Sequence, residues 1–135
     1  MKSALICALV CGVLLSMVSS CATVPDEPLN PGQVRLVGVR FPEIGGNIKK
    51  NVKYPVDIKF EAEGRPEITR VCIYWGVYGP SCHEVMEVNY GTGIVSAFVP
   101  TPGSGQYAFK VYVYYLRDGR SLRSNMVEIP VDVTP

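Results

Sequence analysis

The sequence predicts an all-β protein, and three observations carry that prediction. Apolar and polar residues alternate with a period of two in several short runs. Clusters of Gly, Pro, Asn and Asp separate those runs at close intervals. No stretch of ten or more residues shows a helical period. The chain has 135 residues, a length suited to one domain. Hydrophobic residues make up 47% of it, ample for a core, so a disordered acidic tail is excluded.

The first element is an address. Met1-Lys2 opens the chain, and an apolar run from Ala4 to Val18 follows, interrupted by Gly12 and Ser16. A positive start ahead of about fifteen apolar residues is a secretory h-region. It is shorter than the roughly 20 residues that a membrane-spanning helix needs. Residues 1–20 are therefore read as a signal peptide. The run ends Val18-Ser19-Ser20-Cys21, which resembles the lipobox of bacterial lipoproteins. That resemblance implies that Cys21 becomes the new N-terminus and carries a diacylglyceryl thioether and an amide-linked acyl chain such as palmitate. Several chains, at about 0.8 kcal/mol per buried CH₂, anchor a protein stably where one does not. Ala22 stands where an Asp would retain a lipoprotein in the inner membrane, so the resemblance implies an outer-membrane anchor facing the periplasm.

Residues 21–32 follow as the lipidated Cys and a tether. Pro25, Pro28 and Pro31 with two acids and no apolar period suggest partly polyproline II chain. At about 3.1 Å per residue it would reach roughly 34 Å.

Residues 33–135 carry the strands. Val52, Tyr54, Val56, Ile58 and Phe60 alternate with Lys53, Pro55, Asp57, Lys59 and Glu61, the pattern of a half-buried strand. Pro55 favours an edge or a bulge there. Six similar runs are Val34–Phe41, Ile68–Trp75, Cys82–Val88, Gly93–Val99, Tyr107–Leu116 and Met126–Val133. Turn chemistry falls between them at Gly45-Gly46-Asn47, Gly64-Arg65-Pro66, Gly76–Pro80, Asn89-Tyr90-Gly91, Pro100–Gly105 and Arg117-Asp118-Gly119. Seven short strands in about 100 residues predict a two-sheet sandwich.

Trp75 closes the third run, and Gly105-Gln106-Tyr107 opens the sixth after a Pro/Gly-rich loop. Here the chain resembles the immunoglobulin-like and fibronectin type III sandwiches. The resemblance implies that Tyr107 forms a tyrosine corner, its hydroxyl bonding backbone upstream. The chain departs from antibody domains in its cysteines. Cys7 and Cys11 leave with the signal peptide and Cys21 is lipidated, so Cys72 and Cys82 remain, and an even remainder in an oxidising compartment reads as one disulfide. Ten positions apart around Gly76–Pro80, they would staple one hairpin rather than bridge the two sheets.

Charge and chemistry narrow the function. Removing Lys2 leaves 12 Lys and Arg against 12 Asp and Glu, without the basic surplus a nucleic-acid binder needs. His83 is the only histidine, so neither a His-built zinc site nor a Ser/His/Asp set finds its spacing. No metal, cofactor or catalytic group is expected, and the reading is non-enzymatic. The Asn-Pro-Thr-Thr-Gly type loop of chagasin-like protease inhibitors is not found; Pro100-Thr101-Pro102-Gly103 is only loosely similar.

The remaining signal is aromatic. With Tyr107, Phe109, Val111, Val113 and Tyr115 facing inward, Tyr112 and Tyr114 face outward. With Val71, Ile73 and Trp75 inward, Cys72 and Tyr74 face outward. Tyr74, Tyr112 and Tyr114 are expected as an exposed stripe beside the disulfide, with Tyr78 near the hairpin tip. Arg117, Arg120 and Arg123 are a candidate basic patch in the following hairpin. The sequence thus reads as a lipid-anchored envelope β-sandwich acting by protein–protein contact, as an accessory subunit of an envelope assembly. The alternative is a carbohydrate- or peptidoglycan-binding module that uses the tyrosines as a stacking platform.

Overall fold

A computed structural model describes residues 28–42 and 47–135. The signal segment, Cys21, most of the tether and Gly45-Gly46 lie outside the described residues. The described chain is all-β and folds as two sheets packed face to face, antiparallel throughout except where its second and last strands pair in parallel. The strands are β1 (Val34–Arg40), β2 (Ile48–Lys49), β3 (Lys53–Ala62), β4 (Glu67–Trp75), β5 (Tyr78–Glu84), β6 (Glu87–Asn89), β7 (Ile94–Pro100), β8 (Gly105–Arg117), β9 (Arg120–Arg123) and β10 (Val127–Thr134). One sheet runs β1-β3-β7-β6. The other runs β2-β10-β8-β4-β5, with β9 paired to β8. This order is that of an immunoglobulin-like sandwich.

The period-two runs set which side chains enter the core. Leu36, Val56, Ile58, Phe60, Val95, Ala97 and Val99 from the first sheet meet Val71, Ile73, Trp75, Phe109, Val111, Val113, Tyr115, Val127, Val131 and Val133 from the second. Each such side chain contributes about 1.5–3 kcal/mol of transfer free energy. The Tyr107 hydroxyl donates to the Gly103 carbonyl at 3.0 Å, which is the expected corner. Asp118 and Gly119 both take positive φ, at 52° and 75°, the backbone of a two-residue hairpin turn between Arg117 and Arg120.

Among the described residues, ten strands stand in place of the seven expected. Cys82–Val88, read as one strand, is divided: β5 belongs to one sheet and β6 to the other. The chain crosses between sheets at Val85-Met86, where the Met86 amide donates to the Ser96 carbonyl of β7. Alternation is blind to such a crossing, because it reports faces and not partners. Pro55 lies in an interior strand, yet β1 stops pairing at Asp57, so Pro55 has a strand neighbour on one side only.

The free edge of β1 is closed by a side chain. Leu36 donates its amide to Asn125 Oδ1 at 2.8 Å and accepts from Asn125 Nδ2 at 3.0 Å. The Asn125 amide thereby stands in for a strand and joins the two sheets at their edges. Asn125→Ala would leave two part-buried backbone groups unpaired, at about 1–3 kcal/mol. Its urea midpoint should fall with an unchanged slope; an unmoved midpoint would deny the amide this role.

Candidate functional site

The outward face of the β2-β10-β8-β4-β5 sheet holds a second apolar cluster, separate from the core. At its centre Cys72 pairs with Cys82 on one side and with Tyr112 on the other. The two cysteines form a disulfide of 2.03 Å across β4 and β5. The Tyr74 and Tyr112 rings lie 6.3 Å apart, and Tyr112 and Tyr114 meet edge to face at 5.6 Å. The Arg123 guanidinium stacks over the Tyr112 ring at 5.3 Å from its centroid.

This arrangement corrects the expected stripe. Tyr112 points outward but is only 3% exposed. It sits in the middle of the sheet, flanked by Tyr74, Tyr114, Cys72 and the Arg123 head, so its neighbours cover it. Tyr74 and Tyr114 are half-buried and keep the accessible surface. Burial raises the Tyr112 hydroxyl above the usual tyrosine range, Tyr114 and Tyr74 push the same way, and Arg123 opposes them. Tyr78 stands apart at the start of β5, opposite Trp75, and is 69% exposed.

The basic patch is also divided. Arg117 and Arg120 face each other across the β8–β9 hairpin, whereas Arg123 pairs with Tyr114. Residues 120 and 123 differ by an odd number of positions, so their side chains leave opposite faces of the strand. Arg123 belongs to the aromatic cluster instead. The sequence held no signal for that contact, since a cation stacked on a ring carries no spacing rule between strands.

His83 lies on β5, on the opposite face from Cys82, with its Nε2 2.5 Å from Ser81 Oγ. Burial lowers its pKa and nearby Lys53 adds to the effect, so the neutral ring is favoured. The outward face of the other sheet carries an open groove of about 430 Å³ beside Phe98 and Met86, which are about half exposed. Asp57 at its floor accepts a hydrogen bond from Ser96 at 2.8 Å and lies 3.7 Å from Arg40. Among the described residues, no helix is long and apolar enough to cross a membrane.

No protein-family model matches the chain, and no curated protein matches it. Among solved structures it is similar to a conjugative transposon lipoprotein from Bacteroides eggerthii. The two share 12% identity and a TM-score of 0.39 over 73% of this chain and 93% of that one.

Proposed function

We propose that this chain is a lipid-anchored protein of the cell envelope that works by protein–protein contact as a non-enzymatic accessory subunit. The observation that carries the reading is the aromatic cluster. Tyr74 and Tyr114 are held partly exposed on a rigid sheet face, braced by a buried tyrosine, an arginine and a disulfide. Rigid tyrosines next to an arginine are the composition of contact anchors. A glycan-stacking platform fits less well, because the Tyr112 ring face that a sugar would cover is already taken by Arg123. The lipobox-like Val18–Cys21 and the proline-spaced tether support the anchor.

An in-cell crosslinking pull-down of the tagged chain tests this. A defined envelope partner is expected, and Tyr74→Ala/Tyr114→Ala should lose it while keeping the fold at a reduced stability. Tyr112→Ala is the wrong probe, because that ring is structural. In the same cells Cys21→Ala should leave the membrane fraction or persist as precursor; normal maturation and retention would refute lipidation there. Retention of the partner by the double variant would move the contact elsewhere, and soluble muropeptide binding without a protein partner would favour the glycan reading.

A further inference from the structure

The β4–β5 hairpin ends in the two most exposed large apolar side chains among the described residues, Val77 at 86% and Tyr78 at 69%. Exposed apolar pairs at a loop tip gain by being covered. The turn is built to push them outward. Gly79 has φ +138°, and a Cβ there would lie 2.7 Å from the Ile73 carbonyl oxygen and 3.0 Å from Tyr74 Cδ2. Only glycine lets the chain fold back this closely on Tyr74. Below the turn, the Cys72–Cys82 bond ties the two arms together. The tip is thus held in shape before anything binds it, which reduces the ordering cost of association.

The end of the sandwich from which the tip projects is basic, with Lys53 nearest β5 and Lys49 and Lys50 at the sheet edge opposite it. Lys53 pairs with Pro100, whose carbonyl accepts the indole proton of Trp75, the last residue before the turn. Thr101 holds the neighbouring turn in place by donating to the Lys49 carbonyl at 2.7 Å and accepting the Val52 amide at 2.9 Å. Lys49, Lys50 and Lys53 are all exposed at this end, and no ion pair holds any of them among the described residues. Asp132, opposite Gln106, is the acid nearest this end on β10. The chain enters the sandwich at the other end, where Val34 pairs with Ala62. The ten residues of β3 separate the two ends by about 33 Å.

We propose that this hairpin is a stapled docking prong. Val77 and Tyr78 enter an apolar pocket on an envelope protein, and Lys53, with Lys49 and Lys50 farther across the same end, meets acidic groups flanking that pocket. The inference rests on the protein-contact reading and places a contact at the end remote from the anchor. The tether leaves from the opposite end and would have to run back along the whole sandwich, fully extended, to bring the tip to the anchoring bilayer, which favours a protein.

The test places a photo-crosslinking residue at position 77 of the full-length chain in cells, with parallel copies carrying it at 114 and 121. A specific adduct is expected from 77 and none from 121. The captured protein, purified, should bind the wild-type chain, and Val77→Ser/Tyr78→Ser should weaken binding roughly tenfold or more with an unchanged melting curve. Lys49→Glu/Lys50→Glu should weaken it as well, and added salt should reduce wild-type affinity. Equal binding by the Val77→Ser/Tyr78→Ser chain overturns the prong. An adduct from 114 with none from 77 overturns the prong and leaves the protein-contact reading standing, whereas silence from both overturns both. Binding of wild type to phosphatidylglycerol vesicles that is lost in Val77→Ser/Tyr78→Ser would make the tip lipid-facing and overturn the protein pocket.

Discussion

Trp75→Ala should lower the unfolding free energy by about 3–5 kcal/mol, the range for deleting a large buried aromatic. That is a large share of the roughly 5–15 kcal/mol by which a domain is stable at all. Trp75 is 6% exposed and sits where the two sheets meet at the tip end. Its ring lies 4.6 Å from Phe109, 5.8 Å from Tyr107 and 6.1 Å from Phe41, so one deletion loosens three aromatic contacts. Its Nε1 donates to the Pro100 carbonyl at 3.0 Å and so ties β4 to β7 in the opposite sheet. Trp75→Phe separates the two contributions. It keeps most of the ring packing and leaves the carbonyl unpaired, so its cost should be nearer 1–3 kcal/mol. The chain has one Trp, so unfolding in urea must be followed by circular dichroism rather than fluorescence. A loss below about 1 kcal/mol for Trp75→Ala would contradict this role for the residue.

Much of this architecture is legible in the sequence because it depends on local periodicity. The alternation in β3, β4 and β8 predicts which side chains enter the core, and turn residues such as Asp118-Gly119 predict where strands end. The corner at Tyr107 is legible because its hydrogen bond spans four residues. What escapes the sequence is contact between segments far apart in the chain. Asn125 bonds Leu36 across 89 positions, and no pattern near either residue announces it. Alternation reads Tyr112 as outward-facing and exposed, but its burial depends on Arg123 and Tyr74 arriving from other strands. The division of Cys82–Val88 between two sheets escapes for the same reason. Alternation assigns a face, and only the partners decide whether that face is wet.

The same distinction separates the two proposed contact surfaces. The aromatic cluster is largely satisfied within itself, so its residues act on stability and contact together. Val77 and Tyr78 touch little of the fold and are open to substitution without structural cost. A variant series across both surfaces therefore has an internal control. Loss of partner binding with loss of stability marks the cluster, and loss of binding alone marks the prong.

Breaking the Cys72–Cys82 bond should destabilise the domain by about 3 kcal/mol, the chain-entropy figure for a closed loop of eleven residues. The bond joins directly opposed residues of β4 and β5, so the hairpin can keep its register when the link is lost. The effect then falls mainly on the unfolded chain, which gains the freedom of the opened loop. Cys72 is fully buried, so the comparison is best made by unfolding and refolding with and without reductant. The urea midpoint should drop, and the slope should rise as the unlinked chain unfolds further. Cys72→Ala/Cys82→Ala should cost more than reduction alone, because removing the Cys72 sulfur also leaves a cavity against Tyr112. If reduction and the double variant cost the same, packing at position 72 contributes little. If reduction costs nothing, the staple serves the hairpin tip rather than the fold, and its loss should then be visible only in partner binding.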